Sequence, residues 1–101
     1  MKNLTLIIPA KHEKESLPSV LSELRSYNLN TIVILEKNDL ETISAIKDFN
    51  CKIIYQVNKG YGDALILGIN NVNTKYFCIL ILMIIFGIGQ WTNNCWYIKI
   101  N

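Results

Sequence analysis

The sequence predicts an α/β fold, a parallel sheet with helices on both of its faces. Two observations predict it. Strand-like and helix-like hydrophobic periods alternate through the first 78 residues, and the strand-like runs are short and rich in β-branched side chains. Parallel neighbours need a crossover connection, usually a helix, so this alternation favours a parallel sheet over hairpins. Such crossovers are right-handed almost without exception. At 101 residues the chain holds one domain at most.

The first strand is expected near residues 4–8, where Leu4-Thr-Leu-Ile-Ile is stopped by Pro9, which cannot donate to a ladder. A charged loop follows, ending at Glu13. A helix is then expected near 16–27, with Leu17, Val20, Leu21 and Leu24 at the helical period. Ser16 suits the N-cap, and Pro18 falls in the first turn, where its missing N–H costs nothing. The second strand is expected near 31–35 and the second helix near 39–49, with Leu40, Ile43 and Ile46 as its apolar stripe. Asp39 reads as a cap or first-turn residue of that helix. The third strand, near 51–56, empties into Asn58-Lys-Gly-Tyr-Gly-Asp-Ala-Leu-Ile-Leu-Gly68, which opens a helix near 62–72. A fourth strand is expected near 75–80.

Function should lie along one edge of this sheet. In open α/β sheets, ligands bind in the crevice outside the carboxyl ends of the strands. Pro9 to Glu13 and Asn58 to Gly62 both fall there. Gly60 and Gly62 sit where a strand must turn sharply into a helix. Glycine permits a positive φ at such a turn and lets a ligand come close to the backbone. The following helix points its free N–H groups and dipole at the turn, which favours an anionic group, and Lys59 adds a positive charge. A short Gly-x-Gly also occurs in ordinary strand–helix loops, so the two constellations count together.

Ile-Ile-Pro-Ala-x-x-Glu, then strand-helix-strand, then Asn-x-Gly-x-Gly-x-Ala-Leu-x-x-Gly-Ile resembles the N-terminal half of family-2 glycosyltransferases. The branch containing polyprenyl-phosphate sugar transferases is the most similar. The resemblance covers about Leu4 to Cys78, roughly three quarters of the chain. It implies the N-terminal half of a GT-A fold, Rossmann-like, binding a nucleotide-sugar. Pro9, Ala10 and Glu13 would line the base and ribose pocket, with Lys59, Gly60 and Gly62 beside the nucleotide. Relatives of this type usually carry Asn where this chain has His12. They carry paired aspartates where it reads Leu35-Glu36; Glu36 can still accept a hydrogen bond from base or ribose, and Leu35 cannot.

The resemblance also implies an acidic motif after the fourth strand, holding Mg²⁺ or Mn²⁺ against the donor diphosphate. Here the chain continues Ile79-Leu-Ile-Leu-Met-Ile-Ile-Phe-Gly-Ile-Gly89, and no Asp or Glu follows Asp63. No metal is therefore expected on this chain, although Mg²⁺ or Mn²⁺ is expected in intact relatives. Such enzymes need roughly twice this length. The expectation is a truncated, nucleotide-sugar-binding half-domain over residues 1–78, binding weakly and inactive in transfer by itself. The alternative is a small non-enzymatic α/β protein that engages a partner or membrane through its tail.

That tail, residues 79–101, carries one formal charge, Lys99. The apolar run from Tyr76 to Gly89 is 14 residues, short of the roughly 20 that span a bilayer as a helix. Three readings compete for it: an over-long fourth strand, a membrane-touching segment over residues 76–97 with Trp91 and Trp96 at the interface, or out-of-frame translation. Elsewhere the composition excludes more than it suggests. A net charge of +2 with scattered basic residues gives no nucleic-acid surface. Cys51, Cys78 and Cys95 lack metal-ligand spacing and read as free thiols in a reducing cytoplasm. The N-terminal apolar run ends at Pro9 and is too short for a signal peptide.

Overall fold

The structure, a computed structural model, describes residues 3–27, 29–81 and 95–99, the last as backbone only. Strands β1 (Leu4–Pro9), β2 (Asn30–Glu36), β3 (Lys52–Gln56) and β4 (Tyr76–Leu80) alternate with helices α1 (Ser16–Leu24), α2 (Leu40–Ile46) and α3 (Tyr61–Ile69). A fifth strand, β5 (Cys95–Lys99), completes the sheet in the order β3-β2-β1-β4-β5. The first four strands are mutually parallel, and β5 runs antiparallel to β4. The expected Rossmann-like α/β arrangement is what the chain adopts.

Both faces of the sheet are covered, so its strands are apolar nearly throughout rather than alternating with polar residues. β1 shows this best, with every residue from Thr5 to Pro9 buried. Its side chains divide by parity between two cores. Leu6 and Ile8 join Val33, Leu35, Cys78 and Leu80 against Leu17, Val20, Leu21 and Leu24 of α1 and Ile46 of α2. Ile7 joins Ile32, Ile34, Phe77 and Ile79 against Ala64 of α3. The apolar stripe at positions 17, 20, 21 and 24 therefore faces the sheet, as its 3.6-residue period requires.

Several details differ from the sequence reading. Helix α1 gives way at Arg25–Tyr27 to a single 3-10 turn, and α2 ends at Ile46 rather than near residue 49. Ser16 is the first helical residue, and Glu15 occupies the N-cap. The Ser16 hydroxyl donates to the Glu13 carboxylate instead of accepting a helix N–H. β4 stops at Leu80, and the further course of the over-long fourth strand expected for the tail lies outside the described residues. Residues 82–94, on which the membrane-touching reading chiefly rests, lie outside the described residues. Among the described residues no helix is long and apolar enough to cross a membrane. The expectation of three free thiols fails at Cys78, which is disulfide-bonded; Cys51 is free, and burial pushes its thiol pKa up.

Candidate functional site

The loops after β1, β2 and β3 meet at the carboxyl edge of the sheet. β1 leads in with Pro9, and Ala10 continues the ladder one residue further by donating its N–H to the Ile34 carbonyl at 3.0 Å. β2 ends at Glu36, directly in register with Gln56 at the end of β3. Two adjoining clefts open over these strand ends. The inner one, about 130 Å³, is walled by Pro9, Ala10 and Lys11 on one side and by Gly60 and Ala64 on the other. The outer one, about 190 Å³, is bounded by Lys37, Asn38, Asn58 and Lys59. Glu36 and Gln56 line both, so the two clefts adjoin and are treated together as one depression.

Five of the seven residues singled out in the sequence therefore border this depression: Pro9, Ala10, Glu36, Lys59 and Gly60. The other two stand differently. Glu13 is buried beneath the β1 loop, where its N–H donates to the Thr42 hydroxyl at 3.2 Å and its carboxylate accepts from Ser16. Gly62 lies in the first turn of α3 and lines neither cleft.

The two glycines are also unlike in conformation. Gly60 has φ 103° and ψ 154°, a region essentially reserved for glycine. A Cβ there would meet nothing within 4 Å, so backbone angle rather than crowding requires the glycine. Its carbonyl accepts twice, from the Ala64 N–H at 3.3 Å and from Gln56 Nε2 at 2.6 Å. The first bond starts α3; the second ties the turn to the end of β3. Gln56 was not legible as a site residue, because its role depends on a side chain folding back across four residues.

The β1 loop is braced from α2. Asp39 occupies the N-cap position of α2, yet its buried carboxylate accepts the His12 N–H at 2.8 Å, and His12 Nδ1 lies 3.7 Å from it. Burial pushes the Asp39 pKa up, but hydrogen bonds from His12 and Thr42 outweigh it and the net shift is downward. His12 itself takes φ 55°, the left-handed conformation that Asn tolerates better than His. In the same loop Lys14 pairs with Glu41 of α2 at 2.5 Å, which raises the Lys14 pKa.

Metal ligands are another matter. No three His, Cys, Asp or Glu side chains among the described residues come together as a metal site. β4 ends in Ile79 and Leu80 at the edge where acidic ligands were expected, and the chain has no carboxylate side chain beyond Asp63. Hard divalent cations need several oxygen donors. The side chains among the described residues do not fit such an ion.

A family model described as glycosyl transferase family 2 matches residues 5–80. No curated protein matches the chain.

Proposed function

The chain belongs to glycosyl transferase family 2, and from that premise we propose that its carboxyl sheet edge binds the nucleoside diphosphate portion of a nucleotide-sugar. The observation that carries the reading is the depression bordered by Pro9, Ala10, Glu36, Lys59 and Gly60. Pro9 and Ala10 offer an apolar wall for a flat base. Glu36, an acceptor at the strand end, suits a base N–H or a ribose hydroxyl. On the opposite side, Lys59 and the first turn of α3 suit the anionic diphosphate, since the leading N–H groups of a helix lack internal acceptors. Glu13 serves from behind by fixing the β1 loop on Thr42.

The same residues do not equip the chain to transfer the sugar. Transfer requires stabilisation of the departing diphosphate, worth several kcal/mol in enzymes that do it, together with a site for the acceptor. Glu36 is the only carboxylate among the residues lining the clefts, and Asp63, in the first turn of α3, lines neither. We therefore read the chain as a nucleotide-sugar-binding half that is inactive by itself, with affinity in the high micromolar range, about −5 kcal/mol. Purified chain offered UDP- or GDP-sugars and polyprenyl phosphate should give no product above a protein-free control, and added Mn²⁺ should not change that. Mn²⁺-dependent transfer would refute the assignment.

A further inference from the structure

Each of the three strand-end loops brings one lysine to the depression: Lys11 after β1, Lys37 after β2 and Lys59 after β3. None of the three makes an ion pair among the described residues, whereas Lys14, in the loop between β1 and α1, is paired with Glu41. Glu36 is the only carboxylate among the lining residues, so the depression carries three positive charges against one negative. Lys14 finds its counter-charge in Glu41, and the three lysines that line the clefts have none among the described residues.

We propose that Lys11, Lys37 and Lys59 together supply the counter-charge for a bound diphosphate, so that this site takes a nucleoside diphosphate without a divalent cation. The proposal rests on the nucleotide-binding reading above and adds what holds the anion. Two facts meet in it: among the described residues no cluster of oxygen ligands for a hard cation is present, and a lysine without an ion pair lines the clefts from each of three loops. Lysine acts on phosphate as a mobile point charge with three donors, so the three can converge on one group without a rigid fork. Glu36 would repel the diphosphate. The diphosphate therefore lies away from the Glu36 carboxylate, which lines both clefts, and against the lysine side chains.

The test is an NMR titration of the full chain with UDP, GDP, uridine and guanosine, in EDTA and then in Mn²⁺-free buffer with Mg²⁺ added. In EDTA one diphosphate should bind about tenfold or more tighter than its nucleoside, and Mg²⁺ should change that less than about twofold. Single Lys11→Met, Lys37→Met and Lys59→Met variants should each weaken the diphosphate by about one-and-a-half- to fivefold, the range of exposed charge pairs. The triple variant should bind diphosphate and nucleoside alike, with a melting curve like the parent's. Raising salt should weaken the parent's diphosphate binding and not its nucleoside binding. Diphosphate binding that appears only with Mg²⁺, or that survives intact in the triple variant, overturns the lysine proposal while leaving the site standing. Absence of any binding at the depression, with or without Mg²⁺, overturns the site itself.

Discussion

Gly68 is where packing leaves least room, and Gly68→Ala should destabilise the chain although it improves helix propensity. A Cβ built there would lie 2.6 Å from Ile7 Cγ2 and 3.6 Å from Ile34 Cδ1. Ile7 is fully buried on the central strand β1, and its Cγ2 branches directly from Cβ, so the methyl cannot swing away without changing χ1. Either α3 must lift off the sheet or Ile7 must leave its rotamer. Overpacking of this kind costs about 1–3 kcal/mol, against about 1 kcal/mol gained by replacing a helical glycine with alanine. The net expectation is a loss of about 1 kcal/mol. Gly62→Ala supplies the control, because it lies in the same helix and a Cβ there meets nothing within 4 Å. That variant should gain a few tenths to about 1 kcal/mol. Urea unfolding followed by circular dichroism would measure both, and their difference isolates the contact at about 1–3 kcal/mol. Ile7→Ala should cost less in the Gly68→Ala background than in the parent, since it removes the obstructing methyl. Equal stability of the two glycine variants would refute the packing of α3 on β1.

Three further outcomes follow from the braced β1 loop. Asp39 has a lowered pKa in the folded chain, so the unfolded state binds more protons and stability rises with pH between the folded value and the unfolded one near 3.9. Its contribution is complete above about pH 5 and is lost as pH falls through the folded value; Asp39→Asn should flatten this acid limb in denaturation curves. Thr42→Val would leave the buried Glu13 N–H without its acceptor and should cost about 1–3 kcal/mol in urea unfolding. His12→Asn should stabilise by a few tenths of a kcal/mol, because φ 55° suits Asn and the backbone N–H to Asp39 is kept; a destabilised variant would mean that the imidazole contact with Asp39 outweighs the backbone strain.

The parts of this fold that could be read in the sequence are those encoded locally. Pro9 marks the end of β1 as its last residue, and the 17-20-21-24 stripe marks the buried side of α1 whatever it packs against. Gly60 was legible for the same reason, since a strand-to-helix turn with positive φ selects glycine. What escaped depends on partners far along the chain. Asp39 looks like a cap, and it becomes a brace only because the β1 loop passes over it, 27 residues away in sequence. Ser16 looks like a cap too, until Glu13 claims its hydroxyl. Lys11 and Lys37 are ordinary surface lysines until parallel pairing gathers three strand ends at one edge. β5 escaped because its five residues follow a long apolar segment and pair with β4 by a register that no local pattern announces.

The central claim is that one depression at the carboxyl edge of the sheet binds a nucleoside diphosphate. An ¹⁵N-labelled chain titrated with UDP and GDP tests it most directly. The account predicts saturable shifts in the high micromolar range or weaker, about −5 kcal/mol, with at least one of the two. They should be confined to the amides of Ala10, Lys11, Glu36, Lys37, Gln56, Lys59, Gly60 and Gly62. Saturable shifts centred instead on the opposite edge, at Asn30, Asn50 and Asn73, or no shift with either nucleotide, would contradict it.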